Sequence, residues 1–304
     1  MFYQTSDASF SMQSLYAVQL SGEQQSWLFW LFFIAFAVKM PVFPFHTWQP
    51  DTYEQSPTAV TMVLSALMVK MGLFAVIRWL LPLFPDAAVQ YDNVVIGLSV
   101  IGMIYASILA MQQDDIKRLI AYSSIAHIGL MAAALFVRNE SGLQGAMIQL
   151  FSHGVNVLGM WIVIELIERR FGTRKMSELG GLAQKAPGLT ILLVIVALAN
   201  VALPLTNAFI GEFLMFNGLF KFNIWYAAVG GLSIILSAIY TLRMIQKVFY
   251  GNENTLTAKG EDITWFEKAS LAVIVVAIFV MGVYPKPVFE LTTDTVTLIL
   301  SVFK

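Results

Sequence analysis

The stretch from Trp27 to Pro82 restricts this chain more than any other. Two apolar runs flank the polar elbow FHTWQPDTYEQSP, and each run carries one lysine. Lys39 lies about 12 residues beyond Trp27 and Lys70 about 12 beyond Thr58, so at about 1.5 Å per residue each sits about 18 Å along its helix, near mid-bilayer. A charge at that depth costs several kcal/mol, so such a residue is expected to face a wet interior and to have a task there.

The rest of the chain repeats the apolar theme. Hydrophobic residues make up 58% and charged residues 12%, half the charge of a typical soluble domain, which is about 25%. Eight spans are expected, at 26–44, 58–81, 94–112, 118–137, 143–168, 188–221, 225–249 and 267–287. The sixth is too long for one crossing and contains LPLTN at 203–207. Pro204 lacks a backbone donor and biases Leu203 away from helix, so two half-helices should meet inside the membrane. Pro41 and Pro44 break the first span in the same way, leaving the Ala37 and Met40 carbonyls without helical donors. The predicted fold class is an all-α polytopic membrane protein of about eight transmembrane helices, two of them broken. A broken helix followed by an unbroken one occurs twice, as in inverted-repeat transporters.

Residues 1–25 carry no Lys, no Arg and no apolar core of a signal peptide. They read as an interhelical loop on the non-cytoplasmic side, ahead of a single membrane domain at 26–304. Lys117, Arg118, Arg169, Arg170, Arg174, Lys175, Lys185, Arg243, Lys247, Lys259 and Lys268 fall on one side, and Arg78, Arg138, Lys221, Lys286 and Lys304 on the other. The richer side is assigned to the cytoplasm. The loop 250–266 reads as a solvated connector.

Five ionisable side chains lie deep in spans: Lys39, Lys70, His127, His153 and Glu212. Lys39 precedes a helix break, where free carbonyls and water gather; its bland alternative is snorkelling to an interface. Lys70 is too deep to snorkel, and Ser65 and Thr61, one and two turns earlier, could hold water beside it. His127 follows Ser123 and Ser124, His153 follows Gln149 by four, and Ser152 pairs with Asn156 by the same spacing. Such polar faces are either packing glue or a relay. Glu212 follows the second break by eight residues and is the one carboxylate clearly inside the apolar zone, since Glu165 lies one turn from Arg169. Titratable groups strung through a bilayer suit a proton wire better than a ligand pocket. Among weaker candidates, His46 and Asp51 are elbow structure or part of a water path, and Asp114 and Asp115 are helix caps.

The chain has no cysteine and three histidines, with no HExxH pattern, so no thiolate metal site or iron–sulfur ligation is expected in it. A net charge of -1 gives no reason to expect a nucleic-acid partner.

The segments KMPVFPFHTWQPDTYEQSPTAV, LSALMVKMGLFAVIR, DDIKRLIAYSSIAHIGLM and NAFIGEF closely resemble the antiporter-like proton-pumping subunits of respiratory complex I, whose relatives occur in multisubunit cation/proton antiporters. With glutamate at 212, where other types carry lysine, the chain looks most like the M-type of that family. The resemblance implies that Lys39 is the broken-helix lysine tuned by a carboxylate, Lys70 the central lysine, His127 and His153 the connecting relay, and Glu212 the terminal site. It covers about residues 27–290 and corresponds to the C-terminal eight helices of a longer family fold, without the carboxylate expected to face Lys39. It further implies a place beside other membrane-arm subunits, including neighbouring antiporter-like ones, in a bacterial inner membrane. NADH, FMN, iron–sulfur clusters and quinone would sit in partner subunits, with no cofactor in this chain. A cation/proton antiporter subunit, or a structural scaffold made inactive by truncation, are the alternatives.

Overall fold

The computed structural model describes residues 10–303, so the first nine residues of the expected N-terminal loop lie outside it. Helix is the regular structure throughout these residues, apart from one isolated bridge between Asp115 and Lys175. Six helices are long and apolar enough to cross a membrane: Thr58–Leu83, Asp92–Gln112, Ile116–Phe136, Glu140–Phe171, Ile224–Val248 and Trp265–Val283. The two broken helices supply the remaining crossings of the expected eight.

In chain order, α1 is Met12–Tyr16 and α2 is Gly22–Lys39. Both fall partly or wholly inside the expected loop, because Ser21 and Gln24 form a capping box that starts α2 earlier than its apolar residues suggest. Helix α2 ends at Lys39, and α3 (Trp48–Gln55) makes the elbow helical. The Ala37 carbonyl, expected to be free, accepts from the Val42 amide at 3.1 Å, and that of Val38 accepts from the Trp48 indole at 2.9 Å. The proline break is thus closed by the turn that follows it.

Helix α4 (Thr58–Leu83) is continuous but not regular. Two π-helical stretches, Leu64–Met68 and Val76–Leu80, replace the unbroken helix expected there. Helix α5 (Pro85–Gln90) leads into α6 (Asp92–Gln112). Helix α7 (Ile116–Phe136) starts where the Asp115 carboxylate accepts from the Lys117 and Arg118 amides. It is almost wholly buried and forms the centre of the bundle. Helix α8 (Glu140–Phe171) is capped by Asn139 and stops at Gly172, whose φ of 67° is left-handed.

The second broken helix comprises α9 (Pro187–Asn200) and α10 (Asn207–Phe222). Between them Ala202 (φ 56°) and Leu205 (φ 75°) flank Leu203–Pro204 in left-handed backbone that side chains rarely adopt. Helix α8 holds this break open: Ser152 donates to the Asn207 carbonyl at 3.0 Å and Asn156 to that of Ala199 at 3.1 Å. These two side chains were expected to pair with each other. The backbone groups exposed by the break are the stronger claim on them, because an unpaired carbonyl in hydrocarbon is costly.

Helices α11 (Ile224–Val248) and α12 (Trp265–Val283) follow, the latter largely exposed at the edge of the bundle. The connector between them is more than solvated chain. Asp262 accepts from the Gly188 and Leu189 amides at 3.1 Å each, capping α9, and Thr257 and Ile263 are buried. Helix α13 (Lys286–Val302) was not foreseen; its apolar residues are interrupted by threonines, so hydropathy alone passes over it.

The Lys and Arg residues divide in space as in sequence. Lys117, Arg170, Arg174, Lys185 and Lys268 form ion pairs at one end of the bundle, with Glu168, Glu267, Asp115, Glu253 and Asp262. Arg138 pairs with Asp92 and Lys221 reaches Ser141 at the other.

Candidate functional site

Four of the five expected residues converge. Lys70, His127, His153 and Glu212 are all buried, between 2% and 8% exposed. The Lys70 amine donates to the Ser65 carbonyl at 2.5 Å. The π-helical stretch prepares this contact, since the Val69 amide bonds to Leu64, five residues back, instead of to Ser65. The hydroxyls expected to serve Lys70 are not the groups it uses: Ser65 Oγ lies beside the Tyr53 hydroxyl, and Thr61 Oγ1 donates to the Pro57 carbonyl at 3.3 Å.

Lys70 and His127 are the titratable neighbours of His153. The imidazoles of His153 and His127 have centroids 5.3 Å apart, tilted by 55°. The rings lie against each other without a direct hydrogen bond, and both ring nitrogens of His153 and Nε2 of His127 lack protein partners. His127 Nδ1 then meets Glu212 Oε1 at 3.2 Å. The spatial order is therefore Lys70, His153, His127, Glu212, which is not the order along the chain. Lys39 stands apart. It is half-buried at the end of α2, and its side chain has no hydrogen bond or ion pair with another described residue.

Two glycines let the helices approach closely enough. A Cβ on Gly72 would lie 2.7 Å from the Met40 backbone nitrogen, so the end of α2 presses on α4 two residues from Lys70. A Cβ on Gly211 would lie 2.6 Å from Gln149 Oε1. That bare surface admits Gln149, whose Nε2 donates to Glu212 Oε1 at 3.4 Å. Gln149 had been read only as a neighbour of His153 on α8; its contact with Glu212 depends on α10 crossing α8, which spacing within one helix does not reveal.

Other expected residues are structural. His46 is buried against the rings of Phe43 and Tyr105. Asp51 pairs with Arg118 at 2.8 Å. Asp114 and Asp115 act at the start of α7, Asp115 as its cap. Glu165 is not held by Arg169, which lies 3.6 Å from Glu267. With Glu54, Lys117, Glu168 and Arg174, Glu165 instead lines a cavity of about 340 Å³ at the start of α4. Between that cavity and Lys70 on α3 and α4 are Tyr53 and Ser65, whose buried hydroxyls lie beside each other. Among the described residues no three His, Asp or Glu side chains are grouped to hold a metal ion.

The fold has known counterparts. Residues 1–238 match the family described as NADH:quinone oxidoreductase/Mrp antiporter, TM. The chain belongs to this family. It is 39% identical over 267 residues to NADH-quinone oxidoreductase subunit M of Rickettsia typhi, covering 88% of the chain and 54% of that protein. It is 33% identical to the subunit of that name in Escherichia coli K12, covering 93% and 56%. The chain thus spans little more than half the length of these family members. Among solved structures it is similar to a chain of respiratory complex I from Thermus thermophilus, with a TM-score of 0.92, 31% identity, and coverage of 99% of this chain and 64% of that one. The all-helical membrane architecture with two broken helices is accordingly the family fold.

Proposed function

We propose that this chain is a proton-translocating membrane-arm subunit of a complex I-type NADH:quinone oxidoreductase in a bacterial inner membrane. The observation that carries the reading is the buried series Lys70, His153, His127, Glu212, joined at one end by the His127–Glu212 contact at 3.2 Å. A lysine, two imidazoles and a carboxylate can each take up and release a proton, and such groups persist inside a membrane where they mark a proton path. The open cavity at Glu54, Glu165 and Glu168 supports uptake from the Lys/Arg-rich, cytoplasmic side. Lys39, at the first break, is the member left for a carboxylate outside this chain to tune. Residues 26–304 act as one membrane domain.

Electron transfer belongs to partner subunits that hold NADH, FMN, iron–sulfur clusters and quinone, and this chain holds no cofactor. The partners are other membrane-arm subunits, neighbouring antiporter-like ones among them, and the lipid bilayer. The likeness to M subunits of NADH-quinone oxidoreductase favours this over a cation/proton antiporter.

The test is proton uptake per NADH oxidised in vesicles carrying the assembled complex. Lys70→Ala is expected to stop most pumping without loss of assembly. Lys70→Arg is expected not to restore it, because a guanidinium keeps its proton at any physiological pH. Full pumping by either variant overturns the reading.

A further inference from the structure

Helix α11 carries a polar stripe beside this site. Ser233, Ser237, Tyr240 and Thr241 are all buried and share one face, while Ile234, Ile235, Ile239 and Leu242 are exposed on the others. A cavity of about 10 Å³ separates the stripe from the site, and Ser237, Tyr240, His127 and Glu212 all line it. That volume suits one water, and the walls offer it several polar partners.

The hydroxyls of the stripe are not equivalent. Ser233 donates to the Gly230 carbonyl of its own helix at 2.6 Å, which occupies its proton locally. Ser237 Oγ is buried beside the Tyr240 hydroxyl without a well-formed hydrogen bond of its own. Tyr240 donates across to Ser123 Oγ at 2.9 Å, and Asn200 Nδ2 donates to the same oxygen at 3.3 Å. Ser123 is one turn from His127 on α7, and Asn200 is the last residue of α9 at the helix break. With two donors fixed on its oxygen, the Ser123 hydroxyl proton must point elsewhere. Interhelical glue would need the Tyr240–Ser123 bond alone. It gives no reason for a second buried hydroxyl beside Tyr240 at a cavity shared with a buried carboxylate.

We propose that Ser237, Tyr240 and Ser123, with one water in the cavity, form a proton branch between the His127–Glu212 pair and the broken end of α9, with Asn200 positioning Ser123. The branch rests on the proton-transfer reading above. A proton leaving the Glu212 carboxyl passes to the cavity water, hydrogen-bonded by Ser237. The water passes one of its own to the Tyr240 oxygen. The Tyr240 proton moves to Ser123 Oγ, and the Ser123 proton leaves to water at the break. Tyr240 and Ser123 each gain one proton and lose one, Ser237 holds the water in place, and no electron moves.

The experiment uses the assembled complex in vesicles with Tyr240→Phe and Ser237→Ala. Two quantities are read: proton uptake per NADH, and the hydrogen–deuterium exchange rate of the Glu212 carboxyl by infrared spectroscopy, its band assigned by subtraction of Glu212→Gln. Each variant is expected to slow exchange about 100-fold, as loss of a positioned proton-transfer group does, and to lower pumping with the band position unchanged. The double variant is expected to be no slower than either alone, since both lie on one path. Unchanged exchange in both variants overturns the branch, as does a shifted band at an unchanged rate, which marks a packing role. If Tyr240→Phe does not assemble, Ser237→Ala decides alone. If Lys70→Ala pumps normally, the wider reading fails. If Lys70→Ala stops pumping while both α11 variants exchange normally, the branch alone falls.

Discussion

Lys70 and Glu212 mark the two ends of the buried array, and the protein satisfies them by different means. The Lys70 nitrogen rests on a carbonyl of its own helix, released where the π-helical stretch redirects the Val69 amide. Glu212 is held by side chains from two other helices, His127 on α7 and Gln149 on α8. The basic end is a local device, complete within one helix. The acidic end exists only when α7, α8 and α10 are packed. Removing Lys70 deletes a group whose partner returns to ordinary helix bonding, whereas removing Glu212 strands its partners.

The largest stability effect is therefore expected at the acidic end. Glu212→Ala breaks a buried pair and should destabilise by about 3–5 kcal/mol, while Lys70→Ala should leave stability unchanged or slightly raised. Thermal unfolding of the assembled complex with each variant checks this, and equal losses would erase the contrast. Glu212→Gln keeps the shape and one acceptor, so it should recover most of the stability while still failing to carry a proton.

The two close crossings extend the contrast. Gly72→Ala drives a methyl into the Met40 and Phe36 backbone, which cannot yield, and should cost about 3 kcal/mol, the upper part of the overpacking range. Gly211→Ala meets mainly the end of the flexible Gln149 side chain and should cost nearer 1 kcal/mol. Its effect should fall on function, because Gln149 must swing off Glu212. A larger destabilisation from Gly211→Ala than from Gly72→Ala would reverse the assignment of backbone and side-chain control.

The smallest effect concerns the outer end of the second broken helix. Burial works against the Asp262 charge, but Lys268 and the Ile263, Leu189 and Gly188 amides outweigh it and hold the carboxyl below its usual range. Asp262→Ala should cost about 1 kcal/mol, the usual worth of a helix cap. Because the folded value is depressed, the contribution is present above about pH 4, the value of a free Asp, and fades as pH falls through the folded value. Unfolding curves of wild type and Asp262→Ala should therefore converge on acidification; a gap that persists below that range would argue against an ionised cap.

Much of this was written in local sequence. Apolar run length fixed the spans because a bilayer leaves helix as the way to satisfy backbone polar groups, and Pro204 marked the second break because proline removes a donor wherever it stands. Depth within a run singled out Lys70, His127, His153 and Glu212, since burial of an ionisable group in hydrocarbon is costly in any fold. The spatial order of those four groups, the contact of His127 with Glu212 and the roles of Gln149, Ser152 and Asn156 were decided by tertiary structure alone. So was the Ser123–Tyr240 contact. Each depends on which faces of α7, α8, α10 and α11 meet, and helical periodicity specifies a face without naming the partner that will cover it.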